Sequence, residues 1–443
     1  MNLKESAHEI FLEAVKAADP DREVKNALSI ENVNIRIADE TYPAEFYTRI
    51  FVIGAGKASA RMGKAVEEIL GERISDGWIN TKHDHAVPLT RIKVHECGHP
   101  IPDENGIEGT KHIIDLLSSA DEHTLVICLL SGGGSALMPA PAEGITLEEK
   151  QEVTRLLLNA GASIEELNAV RKHLSILKGG GMARLASPAK LHVLILSDVI
   201  GDKLDTIASG PAVSDGSTYK ECVDICNRHD VMKSLPSSVK ERLLRGAGGE
   251  ISETAKDCDD FLAAVTNTII GNNRLSVESA RKKADEMGFN TMVLTTTLEG
   301  EASEIGNVFA SVASEIKASG NPIQIPACVI AGGETTVTVK GNGKGGRNQE
   351  MALSAAMRLS EVPDVIFLSG GTDGTDGPTD AAGGIVDGDT VLLGNEKKLD
   401  AQDYIDRNDS YTYLNQAGGL LMTGPTGTNV MDIQILLVGN PDK

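Results

Sequence analysis

Apolar residues recur at helical spacing near the start of the chain and in short β-branched runs from residue 49 onward. The helical spacing involves Ile10, Phe11, Ala14, Val15 and Ala18. It predicts an opening helix that breaks at Pro20. Beyond it, predicted strands cover 49–53, 78–81, 92–96, 125–130 and 191–196. Predicted helices cover 57–70 and 104–118, and two more lie within 146–175. Alternating strands and helices predict a mostly parallel sheet with helices on both faces.

A polar, helix-rich stretch follows the strand at 191–196 and extends to about residue 255, where the alternation restarts. The predicted strands of this second half cover 267–270, 291–295, 327–330, 335–339, 365–368 and 433–438. Helices are predicted over 273–287, 301–318 and 347–359. Because single hydrophobic cores stop growing at roughly 250–300 residues, the chain of 443 residues should form two domains. We place them at 1–255, including the opening helix, and 256–443.

Composition and charge narrow the function classes. The chain has 41% hydrophobic and 24% charged residues, which is typical of a globular protein. Its net charge of −22 repels phosphate backbones and anionic lipids, so we expect no nucleic-acid or membrane partner. An anionic substrate would need local lysine or arginine. The longest apolar run is too short to span a bilayer, and the first residues show no targeting signal, so we expect a cytoplasmic protein with reduced cysteines.

Candidate chemistry lies directly after the predicted strands, where ligands bind in open α/β sheets. Gly54, Gly56 and Lys57 follow the first strand of the alternation. A dinucleotide fingerprint would need glycine or alanine where Ser59 stands, so a nicotinamide fold is disfavoured. Lys57 at a helix start opposes the helix dipole, which indicates a bound anion there. The alternative is a solvated lysine beside a tight turn.

A second glycine-rich loop follows the strand at 125–130 and comprises Ser131, Gly132, Gly133, Gly134 and Ser135. Its backbone N–H groups could cradle phosphate oxygens. The alternative is a tight turn that binds no ligand, because such a turn has the same glycine-rich composition. A third glycine-rich turn delivers Arg347 to a helix start, so that two cations, Lys57 and Arg347, oppose helix dipoles in an acidic chain. Together they indicate a strongly anionic ligand.

Carboxylates end three other predicted strands. Asp198 follows 191–196, Glu334 follows 327–330, and Asp373 follows 365–368. Carboxylates beside phosphate-binding backbone are typical of a Mg²⁺ site. The competing interpretation is that such aspartates cap their own turns, and we favour it for Asp376, Asp387 and Asp389.

Eight segments, in order along the chain, carry a resemblance to a known family. They are FVIGAGKASARM, ECGHPIPDENG, LLSGGGSALMPAP, LNAVRKHLSILKGG, LSDVIGDKLDTIASGP, TTTLEGEA, GGETTVTVKGNGKGGRNQEMAL and GGTDGTDGPTDAAGG. The chain resembles the glycerate 2-kinase, or MOFRL, family over nearly its whole length. The resemblance implies ATP- and Mg²⁺-dependent phosphorylation of D-glycerate at its 2-hydroxyl. It also implies a Rossmann-like N-terminal domain and a C-terminal α/β domain, with the active site in the cleft between them.

Several site residues follow from combining this resemblance with the residue patterns. Lys57 and Arg347 match the lysine and the arginine that are regarded as catalytic in this family. We expect Mg²⁺ near Asp198, Glu334 and Asp373, with Asp198 as the first candidate for the base. A homodimer is compatible with the sequence. Two alternatives stay open: an NAD(P)H-dependent hydroxypyruvate reductase, a label often given to this family, and a non-catalytic nucleotide-binding protein.

Overall fold

The computed structural model describes residues 2–439 and contains strands in both halves of the chain. In chain order the strands are β1 (Leu28–Glu31), β2 (Asn34–Ile37), β3 (Glu40–Tyr42), β4 (Arg49–Ala55), β5 (Asp76–Lys82), β6 (Lys93–Cys97), β7 (Thr124–Leu130), β8 (Lys190–Leu196), β9 (Val265–Gly271), β10 (Asn290–Leu298), β11 (Ala327–Gly333), β12 (Val365–Gly371), β13 (Gly383–Asp387), β14 (Leu420–Leu421) and β15 (Asp432–Val438).

Helices alternate with these strands. They are α1 (Leu3–Lys16), α2 (Pro20–Ala27), α3 (Ser59–Leu70), α4 (Glu104–Ser118), α5 (Gly134–Leu137), α6 (Leu147–Asn159), α7 (Ile164–His173), α8 (Gly181–Ala186), α9 (Tyr219–Arg228), α10 (Ser237–Ala247), α11 (Asn273–Glu286), α12 (Ala302–Ser319), α13 (Arg347–Leu359), α14 (Thr390–Glu396), α15 (Ala401–Asp406) and α16 (Ser410–Ala417). Within residues 2–439, no helix is both long and apolar enough to cross a membrane.

The chain divides into two compact units, and their boundary differs from the one expected at residue 255. One unit comprises residues 20–270, and the other combines residues 271–443 with 1–19. Two elements explain the difference. Strand β9, expected to begin the second domain, instead extends the sheet of the first beside β8. Helix α1 buries Ile10, Phe11 and Ala14 in a core cluster with residues of β11, β12 and β15, so the opening helix belongs to the second unit.

The unit 20–270 contains a six-stranded sheet in the order β6-β5-β4-β7-β8-β9. The pairs β4–β5, β4–β7, β5–β6 and β7–β8 are parallel, as the alternation predicted. Every residue of β7 is buried, because helices cover both faces of the sheet. Since Ala55 is in register with Leu130, the loops after β4 and β7 begin side by side. A separate antiparallel sheet, β1-β2-β3, was not predicted.

The other unit contains a mixed sheet in the order β10-β11-β15-β12-β13-β14. The closing strand β15 lies between β11 and β12 and is antiparallel to both. This register places Asp432, its first residue, opposite Gly333 on one side and Gly371 on the other. The carboxyl ends of β11 and β12 therefore meet the beginning of β15 at one edge of the sheet.

The predicted strand at 335–339 is wrong. Thr336 forms only an isolated bridge with Glu301. The side chain of Glu301 accepts hydrogen bonds from the backbone N–H of Thr338 (2.8 Å) and from its hydroxyl (3.0 Å). Val339 is 73% exposed. A carboxylate therefore takes the place of a neighbouring strand as the hydrogen-bond partner of this segment.

Candidate active site

The loops that follow β4 and β7 are fastened to each other. The Lys57 N–H donates to Gly132 O (2.9 Å), and the Ala58 N–H donates to Ser131 Oγ (3.0 Å). Gly56 has φ +149°, and a Cβ there would lie 2.1 Å from Ser131 Oγ. Only glycine permits this contact between the two loops. The first two glycine-rich segments predicted from the sequence therefore form one continuous surface within the unit 20–270.

Ser59 closes this junction from the side of α3. Its hydroxyl is fully buried, donates to Leu129 O (3.0 Å) and lies 3.1 Å from Ser131 Oγ. The position that a dinucleotide fingerprint reserves for glycine is thus filled by a hydrogen-bonded side chain. The geometry agrees with the argument against a nicotinamide fold.

Lys57 lies next to a group of basic side chains beside the joined loops. It immediately precedes Ala58, the N-cap residue of α3. Its ammonium forms no ion pair with any residue from 2 to 439. Burial, together with the charges of Lys57 and Lys82, lowers the pKa of His99 to about 4. A Cβ on Gly133, which has φ +85°, would lie 2.8 Å from the His99 ring. Lys57 and Lys82 therefore create a locally positive surface beside the Ser131–Ser135 loop, and together with burial they keep His99 uncharged at neutral pH.

Ser135, at the far end of the same loop, is the centre of a second basic cluster. Its hydroxyl accepts from Arg171 Nη2 (3.0 Å) and Lys178 Nζ (2.5 Å), and lies 3.0 Å from Ser209 Oγ. Ser209 and its neighbour Ala208 adopt left-handed φ angles of 62° and 49°. Such strained non-glycine residues persist where the surrounding structure holds them, often at functional sites. Arg171, Lys178 and Ser209 were not singled out from the sequence.

Lys150 on α6 belongs to this cluster, because it lies close enough to Lys178 for its charge to lower the pKa of that lysine. Its side chain is buried, and its ammonium nitrogen has no hydrogen-bond partner in the described part of the chain. The local sequence LEEKQEV holds no signal of this burial, whereas the spacing of Arg171 and Lys178 within LNAVRKHLSILKGG could have suggested paired cations.

Asp198, the candidate base, lies in the same unit. It follows β8 directly, as predicted, and is half-buried. The preceding residue, Ser197, is fully buried, and its hydroxyl accepts from the Val199 N–H (3.3 Å). This bond fixes the backbone that carries Asp198. Its role stays a prediction.

Arg347 begins α13, as the glycine-rich turn predicted, but it is not an unpaired cation. Its Nε and Nη2 donate to the two carboxylate oxygens of Asp432, at 2.6 and 2.9 Å. Its Nη1 donates to Glu334 (2.6 Å). Burial opposes the charge, but the hydrogen bond and charge of Asp432, with the charge of Glu334, raise the pKa of Arg347. The prediction that Arg347 needs an external anion to balance its charge is therefore wrong, because Asp432 and Glu334 balance it.

The aspartates after β12 have separate tasks. Asp376 is buried and accepts from the N–H groups of Asn348 (3.2 Å) and Gln349 (2.9 Å), so it caps α13 rather than its own turn. Burial raises its pKa to about 7 despite these bonds. Asp373 accepts from the N–H (3.0 Å) and hydroxyl (3.2 Å) of Thr375, which is the turn-capping arrangement. Asp387 likewise caps its own turn, as predicted. The same prediction is wrong for Asp389, whose side chain makes no capping hydrogen bond at the start of α14, because its backbone N–H is the donor to Asp387.

Residues 2–439 contain no group of three or more histidine, cysteine, aspartate or glutamate side chains placed to hold a metal ion. The expected Mg²⁺ ligands Asp198, Glu334 and Asp373 therefore do not form a ready-made three-ligand site. Mg²⁺ is often bound through only one or two carboxylates plus phosphate oxygens and water. These three residues stay candidates on that basis.

Comparison with known proteins gives the family. Residues 6–244 match a domain of unknown function, DUF4147, and residues 327–432 match the MOFRL family. A protein of Pyrococcus horikoshii named glycerate 2-kinase is 44% identical, and the alignment covers 99% of this chain and 98% of that protein. The chain belongs to the MOFRL family of glycerate kinases. The resemblance drawn from the sequence motifs is thereby confirmed.

Structural comparison agrees with this membership. The crystal structure of a glycerate kinase from Thermotoga maritima superimposes with a TM-score of 0.88 at 45% identity, covering 98% of this chain and 99% of that one. A more distant relative, from Agrobacterium vitis, carries a provisional name as a hydroxypyruvate reductase and is 38% identical over 97% of this chain and 93% of its own. The α/β fold and the phosphotransferase class expected from the sequence are those of the glycerate kinases.

Proposed function

We propose that this glycerate kinase transfers the γ-phosphoryl group of ATP to the 2-hydroxyl of D-glycerate, giving 2-phospho-D-glycerate and ADP. The observation that carries the proposal is the joined pair of glycine-rich loops beside Lys57. The N–H groups of Lys57 and Ala58 already donate across the junction, whereas those of Gly132 and Gly133 donate to no residue from 2 to 439. These two free N–H groups lie in the loop that contacts Lys57, whose ammonium has no acidic partner among the same residues. Such a surface suits the phosphates of a nucleotide. The names glycerate 2-kinase and D-glycerate 2-kinase of two full-length relatives support the position of transfer.

In the proposed reaction, the 2-hydroxyl oxygen of glycerate forms a bond to the γ-phosphorus while the bond to the β–γ bridging oxygen breaks. ADP leaves with that oxygen, and the hydroxyl proton passes to a base, for which Asp198 is the candidate. The chemistry depends mainly on positioning and charge stabilisation at the transferring group. Lys57 supplies an ammonium. Arg347 uses three of its five N–H donors on Asp432 and Glu334, which leaves two for a phosphoryl oxygen.

Asp432 and Glu334 orient Arg347 in this account. A guanidinium that already donates two parallel hydrogen bonds to a carboxylate loses little conformational entropy when it binds a phosphoryl group. Glu334 and Asp373, which lie in the same unit as Arg347, would be Mg²⁺ ligands. Asp198, in the unit 20–270, would be a further ligand. When bound, Mg²⁺ would neutralise charge on the nucleotide phosphates. The carboxylate oxygens fit this ion, provided phosphate and water complete its coordination. The net charge of −22 supports an enzyme that binds no nucleic acid.

The reductase alternative finds less support. It would require a nicotinamide cofactor, whose fingerprint glycine is replaced by the buried, hydrogen-bonded Ser59. A purified sample given ATP, Mg²⁺ and D-glycerate tests both possibilities. We expect a product that enolase converts directly to phosphoenolpyruvate. A product that enolase accepts only after phosphoglycerate mutase is added would refute transfer to the 2-hydroxyl. NADH oxidation with hydroxypyruvate, faster than the kinase reaction, would favour the reductase.

A further inference from the structure

Three basic side chains of the unit 20–270 lie around Ser135 and line one cavity with it, and none of them has an acidic partner among residues 2–439. Arg171 and Lys178 donate to the Ser135 hydroxyl, and Lys178 also donates to the Ser135 carbonyl (2.9 Å). Lys150 and Lys178 are only 7% and 2% exposed. The Lys150 ammonium has no hydrogen-bond partner among the described residues. Buried lysines are rare unless paired, because removing a charge from water is costly.

The neighbouring Lys172 shows what a structural buried lysine looks like in this fold. It is 5% exposed, and its ammonium lies 3.3 Å from Asp215 and 3.7 Å from Asp205. Within residues 2–439, the fold thus supplies carboxylates to Lys172 and none to Lys150, Arg171 or Lys178. This contrast indicates that the counter-charge of the Ser135 cluster comes from a ligand.

A cavity of about 480 Å³ opens onto the cluster. Ser135, Lys150, Arg171 and Lys178 line one part of it, while Pro139 and Leu147 contribute apolar wall. The described lining residues include no aspartate or glutamate. Pockets of this size accept molecules larger than a simple ion. Arginine presents its donors in a fork that matches carboxylate or phosphate oxygens.

We propose that this cavity is an oxyanion-binding site in which Lys150, Arg171 and Lys178 hold a carboxylate or phosphate group of a substrate. The choice of substrates rests on the proposed function, since D-glycerate carries a carboxylate and the nucleotide carries phosphates. The site differs from the Lys57 surface because it is formed by the opposite end of the Ser131–Ser135 loop and by side chains of α6, α7 and the segment after α7.

Proton uptake should accompany binding. Burial and the charge of Arg171 lower the pKa of Lys150 to about 7. Burial, Arg171 and Lys150 lower the pKa of Lys178 well below its usual value. The remaining charged residue of the cavity, Arg155 on α6, is exposed and paired with Glu152 (2.6 Å). A bound anion favours the protonated lysines, so affinity should weaken as pH rises above 7.

Lys150→Met separates a binding role from a structural one. Methionine has similar length and no charge, so it should pack in the same space and relieve the unpaired ammonium. We expect the ligand-free variant to melt at a higher temperature than the wild type. Its affinity for ADP or for D-glycerate should fall roughly tenfold or more, the usual scale for one lost charged hydrogen bond. Lys111→Met on α4 is the matched control, because Lys111 is an exposed helical lysine and its loss changes the net charge equally.

Isothermal titration with ADP, D-glycerate and inorganic phosphate, in buffers of different ionisation enthalpy, measures both affinity and protons taken up. Weaker ADP binding by Lys150→Met, with smaller proton uptake, would place a phosphate in the cavity. The same loss for D-glycerate would place the carboxylate there. Unchanged affinity for all three ligands, or a variant that only loses stability, would overturn the proposal. These are binding measurements, so a failed kinase assay would refute the proposed function without deciding this inference.

Discussion

The Arg347 guanidinium donates two parallel hydrogen bonds to the carboxylate of Asp432, a fully buried residue at the start of β15. The pair joins the first residue of α13 to the strand at the centre of the mixed sheet. The charge of Arg347 opposes the dipole of α13, and the Asp432 carboxylate compensates that charge within a hydrogen-bonded pair. This relationship changes what substitutions of Arg347 should do.

Arg347→Ala should lower both activity and stability. From the sequence alone, loss of a cation at a helix start would cost little stability. In the structure, however, it leaves the Asp432 carboxylate buried and unpaired, which typically costs about 3 kcal/mol. If Arg347 acts on the transferring phosphoryl group, kcat should also fall by on the order of 10³. Thermal melts and steady-state kinetics measure the two effects.

Lys344→Ala is the control for this experiment. Lys344 lies on the same glycine-rich turn, but it is exposed and its ammonium packs 4.1 Å from the centre of the Tyr411 ring. We expect less than a tenfold change in kcat. If Lys344→Ala and Arg347→Ala prove equally mild, the turn only attracts ATP, and the role assigned to Arg347 is wrong.

Lys57→Ala should lower kcat by a similar order, about 10³, without lowering the melting temperature. Its ammonium forms no ion pair with residues 2–439, and it opposes the dipole of α3. Lys64→Ala, which removes an exposed lysine within α3, should leave kcat near that of the wild type. A large loss of stability in Lys57→Ala would show that the residue serves the fold instead.

Much of the fold follows from local pattern, because alternating buried strands and amphipathic helices are written into short stretches of sequence. The glycine-rich loops after β4 and β7 were predicted for the same reason. The partnership of Arg347 with Asp432, 85 residues later, was not, since it depends on β15 entering the sheet between β11 and β12. Lys150 was missed because α6 shows the ordinary composition of a solvated helix, and only tertiary packing buries its ammonium.

Asp373→Asn tests the metal assignment. If Asp373 binds Mg²⁺, the variant should need a higher Mg²⁺ concentration for half-maximal activity while keeping its fold. Asp387→Asn is a matched control, because Asp387 also accepts from a backbone N–H two residues later and from a threonine hydroxyl. If both variants and the wild type need the same Mg²⁺ concentration, Asp373 only caps its turn and is not a metal ligand.

Asp376 should give the protein a measurable pH dependence of stability. Burial raises its folded-state pKa to about 7, above the unfolded value near 3.9. The folded state therefore favours the protonated acid, and this contribution is complete below about pH 4 and is lost as pH rises through 7. Asp376→Asn cannot ionise. The melting temperature of the variant minus that of the wild type should therefore increase from pH 5 to pH 8. A constant difference over that range would contradict the assigned pKa.

The position of phosphoryl transfer is the central claim, and proton-coupled ³¹P NMR of the product tests it most directly. The purified protein is incubated with ATP, Mg²⁺ and D-glycerate, and the new phosphomonoester signal is recorded without proton decoupling. Carbon 2 of glycerate carries one hydrogen and carbon 3 carries two. The account predicts a doublet, from phosphate on the 2-hydroxyl. A triplet, from phosphate on the 3-hydroxyl, would contradict it, as would the absence of any new phosphomonoester.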